Sequence, residues 1–288
     1  MKKFVLLISV VGMTLLLGAN QSAAAVIAQD TAADTVYNDG WQTGDNGGFG
    51  FGPWTIRTTT GNNDANNGVF VGNSKNNGDG DNNNDHDINT PLSATGRALG
   101  TYAGNGFSAV GYRAFNVPLS MGHTFYLSMD NGFIDSGGPS VGFTLRTGNA
   151  NSSTADYNVG ARFEMLFLGG DTGYKVVDGT GTHYFSPNIG FTDEGLRIEF
   201  FLTGPNSYSI VVSNTSGTVL STRTGTLGGT LNATIDSFAV YNRGAGAGSA
   251  RDAFFNSFTQ LSAVPEPGLV ALMLGGAGVI WSWRRTRR

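Results

Sequence analysis

The chain has 288 residues, a formal net charge of −4, a charged fraction of only 13%, 44 glycines and no cysteine. The missing cysteines exclude disulfides, thiolate nucleophiles, cysteine-held zinc and iron–sulfur clusters, and the sparse, slightly acidic charge excludes a nucleic-acid-binding surface. A hydrophobic share of 40% still supplies a core, so the composition describes a folded chain with many glycine-, asparagine- and aspartate-rich turns.

The chain opens with MKKFVLLISVVGMTLLLGANQSAAA. Lys2 and Lys3 give it a positive start, residues 4–17 are apolar, and Ala23 and Ala25 frame an A-x-A cleavage site. This is the three-part build of a secretory signal peptide, predicted over residues 1–25 and read by the export and signal-peptidase machinery. As an uncleaved anchor the apolar run would be short for a bilayer core of ~30 Å.

Residues 26–263 are predicted to fold as one domain. Early in it, Trp41 and Trp54 flank the glycine-rich stretch DNGGFGFGPW. Exposed rings of this kind stack on the apolar face of sugars, so both are candidate ligand-stacking residues, with ordinary core packing as the alternative. Next comes NNGDGDNNNDHDINT, in which Asp79, Asp81, Asn83, Asp85 and Asp87 place oxygen ligands at every second position. A loop wrapping Ca²⁺ has this spacing. It departs from the EF-hand pattern at Asn84, where the sharp turn needs glycine, and at Thr90, where a bidentate glutamate belongs. A solvated polar loop is the competing reading, with His86 on its surface.

From residue 124 onward the apolar period is two. Phe125, Leu127 and Met129 share a face in TFYLSMD, as do Val141, Phe143 and Leu145 in SVGFTLRT. Phe163, Met165 and Phe167 oppose Arg162 and Glu164. Ile198, Phe200 and Leu202 are followed, across a GPN turn, by Tyr208, Ile210 and Val212. Further strands are expected at TVLSTRT, IDSFAVYN and DAFFNSFTQL. The GPSVG at 138–142 matches a nucleophile-elbow pattern but leads into a strand, where the elbow needs a helix. Glutamates are too few and too scattered for the clustered acids of a jelly-roll glycosidase, since Glu199 shares its face with Arg197. The Gly/Ala loop at 243–252 lacks the lysine and helix of a phosphate cradle. No repeat of propeller-blade length occurs. The expected fold is an all-β, two-sheet antiparallel jelly-roll sandwich, flanked by the signal helix and a C-terminal transmembrane helix.

The chain closes with VPEPGLVALMLGGAGVIWSWRRTRR. Pro265 and Pro267 hold the backbone extended, and residues 268–283 carry no charge and would reach about 24 Å as a helix. Arg284, Arg285, Arg287 and Arg288 then hold the end on the cytoplasmic side. Val264-Pro265-Glu266-Pro267, the short hydrophobic helix and the arginine cluster, in that order over 264–288, resemble the PEP-CTERM sorting signal. The resemblance implies that the tail docks briefly in the inner membrane of a Gram-negative bacterium and is recognised by exosortase near Pro-Glu-Pro. Its removal would deliver the protein to the cell surface or extracellular matrix. A permanent inner-membrane anchor is the alternative.

The stretches DNGGFGFGPW, GFTDEGLRIEFFLTGPNSYSIVV and GSARDAFFNSF resemble ectodomains common among PEP-CTERM proteins, which look like concanavalin/laminin-G-type jelly rolls. That fold hosts lectins, adhesion modules and glycosidases, and does not itself fix a function. The expectation is an exported, non-enzymatic surface protein with polysaccharide as candidate ligand and Ca²⁺ as candidate cofactor. A secreted jelly-roll glycoside hydrolase or lyase is the rival.

Overall fold

The computed structural model describes residues 24–76, 87–192 and 194–263. The signal segment through Ala23, the whole 264–288 tail and the Asp79, Asp81, Asn83 and Asp85 positions lie outside these residues. So do the two segments expected to form the flanking helices. No helix among the described residues is long and apolar enough to cross a membrane.

Fifteen strands follow one another among the described residues. They are Val26–Asp30 (β1), Thr55–Thr58 (β2), Asn67–Gly72 (β3), Ala98–Ala103 (β4), Ser108–Leu119 (β5), Thr124–Asn131 (β6), Ser140–Arg146 (β7) and Ala161–Leu168 (β8). The second half holds Lys175–Asp178 (β9), Gly181–Tyr184 (β10), Leu196–Gly204 (β11), Ser207–Asn214 (β12), Val219–Thr226 (β13), Ile235–Arg243 (β14) and Ala253–Leu261 (β15). One sheet runs β13-β12-β11-β6-β15-β4-β3, with β1 also on β15; the other runs β10-β9-β8-β7-β14-β5-β2. Each pairing is antiparallel. The chain changes sheet from β1 to β2, β2 to β3, β4 to β5, β5 to β6, β6 to β7, β10 to β11, β13 to β14 and β14 to β15, giving the two-sheet, jelly-roll-type sandwich.

Period-2 patterning explains the core. Phe125, Leu127, Met129, Phe163, Met165, Phe167, Ile198, Phe200, Leu202, Tyr208, Ile210 and Val212 are all buried between the sheets. Each such side chain contributes about 1.5–3 kcal/mol of apolar burial. The GPN stretch forms a tight turn, with Pro205 and Asn206 between β11 and β12. Ser140 of GPSVG opens β7 as a buried strand residue.

β7 departs from alternation, since all seven of its residues are buried. Its outer face lies under the segment carrying the 3-10 turn Thr154–Asn158. The Thr144 hydroxyl donates to the Tyr157 carbonyl at 2.6 Å, Arg146 Nε to the Val159 carbonyl at 3.1 Å, and the Tyr112 hydroxyl to the Ser153 carbonyl at 2.7 Å.

Of the two readings of the tryptophans, the structure shows core packing rather than exposed stacking rings. Trp41 is 2% and Trp54 1% exposed, and they meet edge to face, 5.0 Å between centroids. Gly111 of β5 makes room for them: a Cβ there would lie 2.6 Å from Trp41 Cζ2. The surrounding glycines seat the segment backbone to backbone on β1, because a Cβ at Gly48 or Gly50 would overlap the Gln29 and Ile27 carbonyl oxygens. Trp54 Nε1 donates to the Tyr37 hydroxyl, which donates to Asp30. The glycine-rich stretch is a wrapper for the core, and the rings are its filling.

Candidate functional site

A cleft of about 300 Å³ opens on the outer face of the β6-containing sheet. The register of three strands lays out its floor. Arg197 of β11 pairs with Ser128 of β6, which pairs with Asn256 of β15; in the next row Glu199 pairs with Tyr126, and Tyr126 with Thr259. Inward neighbours Phe125, Leu127, Ile198 and Phe258 are buried, so these polar residues are directed outward by the strand period.

A bulge between Asn256 and Thr259 interrupts the β15 ladder. It places Ser257 at φ 56°, a left-handed conformation that a non-glycine residue adopts at a cost of roughly 1–2 kcal/mol. The bulge aims the buried Asn256 side chain at the loop above. Its Nδ2 donates to the Ile88 carbonyl (2.8 Å), Thr90 Oγ1 (2.9 Å) and the Arg97 carbonyl (3.0 Å), while its Oδ1 accepts from the Ala32 and Ser257 amides, both at 2.9 Å. The overhang is pinned again at Asn89, whose Oδ1 accepts from the Ser74 amide at 2.9 Å. Arg97 ties it to the 3-10 turn Thr35–Asp39 through Asn38 Oδ1 at 2.8 Å. Asp87 and Asn89 bring a carboxylate and an amide to the cleft wall, and Leu92, 60% exposed, forms its apolar lip.

Burial, reinforced by the Glu199 carboxylate that bonds it, pushes the Tyr126 phenol up to about 12, so it remains a neutral donor. The cleft thus combines hydroxyls, an amide, an aromatic ring, one carboxylate and one exposed guanidinium. It can hold a small polar molecule by hydrogen bonds.

Of the calcium candidates, Asp87 lies within the described residues. It is 4% exposed with φ 25°. Thr90, at the last position of the ligand spacing, is engaged by Asn256 and exchanges backbone bonds with Arg97. No group of three or more acidic or histidine side chains that could hold a metal occurs among the described residues.

The opposite sheet carries a second polar cluster on its outer face. The Tyr241 hydroxyl donates to Glu164 Oε1 at 2.5 Å, passing over Gly142, and Arg243 donates to the Tyr157 hydroxyl at 2.7 Å. Burial raises the Glu164 carboxyl despite the Tyr241 bond and Arg243, and holds the Tyr241 hydroxyl well above the usual phenol range. Its partners are tyrosines and an arginine, whereas glycoside hydrolysis in its common form needs a second carboxylate.

The β6–β11–β15 cleft was not visible in the sequence, because its residues come from distant segments. The one local signal was the Asn256-Ser257 step, which breaks the apolar alternation of β15.

No family model matches the chain, and no curated protein matches it. Solved structures similar to it include lectin UEA-II complexed with galactose (10% identity, 77% of this chain and 96% of that one, TM-score 0.40). Another is a carbohydrate esterase from Shiga toxin-encoding bacteriophage phi24B (12% identity, 83% and 100%, TM-score 0.44). A protein of unknown function from Shewanella oneidensis MR-1 is similar at 11% identity (85% and 90%, TM-score 0.41). Likenesses at this level say nothing of this chain's ligand.

Proposed function

We propose that this chain is an exported, non-enzymatic β-sandwich protein that binds polysaccharide in the cleft under residues 87–97. Its C-terminal segment would direct it through exosortase to the cell surface or extracellular matrix. The observation that carries the binding reading is the cleft's lining: outward hydroxyls fixed by sheet register and the Asn89 amide of the overhang, beside the Tyr126 ring and Arg197. A sugar presents the complement, hydroxyls around its rim and an apolar face of C–H groups. Arg197 adds preference for an acidic sugar.

Delivery is supported by the two ends of the sequence, an export leader and a Pro-Glu-Pro, apolar, arginine-rich tail. The folded domain spans Ala25–Ala263, and its ends are bonded to each other. The Ser262 amide donates to the Ala25 carbonyl at 2.8 Å, and the Ala25 amide to Ser262 Oγ at 2.9 Å.

Binding of the full chain to an array of neutral and acidic polysaccharides tests the first half. Tyr126→Ala and Arg197→Ala should each weaken binding about tenfold, the effect of losing ~1.4 kcal/mol; no binding by the wild type would retire the reading. Mass spectrometry of the mature C-terminus tests the second. Arg284 to Arg288 should be missing from the wild type and retained when Pro265-Glu266-Pro267 is replaced.

A jelly-roll hydrolase or lyase is the second reading, favoured by the burial-raised Glu164 beside Tyr241. Chain cleavage by the wild type, abolished in Glu164→Gln, would establish it in place of the first.

A further inference from the structure

A separate cleft of about 260 Å³ lies where the 243–252 loop meets the start of β3 and the end of β4. Asp252 and Tyr102 line it, with Asn66, Gly104, Gly246 and Ser249 around them. It shares no lining residue with the cleft under 87–97. The Gly246 amide on the Ala103 carbonyl (3.0 Å) and the Gly104 amide on the Asn66 carbonyl (2.7 Å) fix its walls. Gly246, at φ 133°, has no room for a side chain, since a Cβ would overlap Arg251 Cδ. At Gly246 the rim is therefore bare backbone.

The cleft's charge is one-sided. Three carboxylates in this protein have cationic partners: Asp30 has Arg113, Asp171 has Lys175, and Asp178 has Arg223. Asp252 has none among the described residues, and burial alone lifts its carboxyl to about 7. Arg251, the adjacent residue, is occupied by Asp135 at 2.7 Å. The other titratable group beside Asp252 is Tyr102, raised by burial and by the charges of Asp64 and Asp252, its hydroxyl donating to the Asp64 carbonyl at 2.7 Å. The Asp64 carboxylate is itself taken up by the Asn66 and Asn67 amides.

We propose that this cleft binds a primary ammonium group, held by the Asp252 carboxylate with Tyr102 as the wall beside it. An ammonium is all donor and no acceptor, which suits a carboxylate that no protein group serves. A neutral hydroxyl would leave the desolvated charge uncompensated. A hard divalent cation takes six or more oxygens and usually several carboxylates, where this cleft has one. The aromatic wall adds attraction for a cation and cover for its methylene stem.

Binding and protonation compete at Asp252, so the site releases a proton as it fills near neutral pH. The test uses the full chain and n-butylammonium chloride, with dissociation constants from ligand-observed NMR at pH 6 and pH 8. The amine stays charged at both, so affinity should rise about tenfold between them as Asp252 ionises. Asp252→Asn, its fold checked by circular dichroism, should bind at least tenfold more weakly at pH 8 and lose the pH dependence. Tyr102→Leu should weaken binding about threefold or more and keep that dependence. Equal binding of uncharged 1-butanol, a pH-independent affinity, unchanged affinity in Asp252→Asn, or tighter binding of calcium chloride would each overturn the proposal.

Discussion

Arg113 of β5 and Asp30 of β1 form an ion pair with both side chains wholly buried, one from each sheet of the sandwich. The guanidinium lies 4.9 Å from the Phe51 ring centre and 5.0 Å from that of Trp54. It also donates to the Gly52 carbonyl at 2.7 Å and the Gly47 carbonyl at 2.9 Å, so it anchors the glycine-rich wrapper as well as the carboxylate. Removing one member strands the other. Arg113→Met should cost about 3–5 kcal/mol in urea unfolding. The Arg113→Met/Asp30→Asn double variant should recover part of that loss, because no bare charge remains.

Asn256 holds the roof of the β6–β11–β15 cleft through three donated bonds. Asn256→Asp keeps the shape and abolishes all three, leaving carbonyls of the loop without their donor. The expected loss is on the order of 1–3 kcal/mol per group left unsatisfied, partly relieved by water. Amide exchange should accelerate at residues 88–97 before it does in β6 or β11. Uniform acceleration across the domain would show instead that Asn256 supports the whole sandwich.

The Asp252 carboxyl sits at about 7 in the folded chain and in the ordinary range near 4 once unfolded. Between those values the folded protein keeps a proton that the unfolded chain has released. Wild-type stability should therefore fall as pH rises through this window, by up to about 1.4 kcal/mol per unit. Asp252→Asn should not show this component, and its advantage over wild type should grow by about 2 kcal/mol between pH 5 and pH 8 in parallel urea titrations.

Two glycines with similar backbone angles give a further contrast. Gly48 (φ 65°) has the Gln29 carbonyl where a Cβ would go, and Gly61 (φ 82°) has nothing within 4 Å. Gly61→Ala should cost about 1 kcal/mol, the conformational term alone. Gly48→Ala must also displace β1 backbone and should cost more than about 3 kcal/mol, by thermal or urea unfolding. Equal losses would mean that the wrapper yields freely.

Legibility in the sequence followed burial on one face. β8, β11 and β12 alternate cleanly because one side meets the core and the other is more open to water. β5, the longest strand, escaped notice: its inward positions are Ala109, Gly111, Arg113 and Phe115, chosen to seat two tryptophans and a buried charge. An apolar alternation cannot show through such a row. β7 differs in the opposite direction: Thr144 and Arg146 alternate with its apolar residues, yet lie buried under the Thr154–Asn158 segment. For Trp41 and Trp54 the sequence leaves stacking and core packing both open, because flanking glycines fit an open loop as well as the close backbone approach they permit here. The cleft needed register, which depends on strand neighbours that no local window contains.

The strand nearest the tail is not a border strand. β15 lies inside its sheet, bonded to β6 on one side and to β4 and β1 on the other. A pull transmitted through Ala263 therefore acts lengthwise on a strand gripped from both flanks. Its ladders must shear together, where a border strand could peel bond by bond. Such a strand resists a lengthwise tug far better than it resists slow thermal opening.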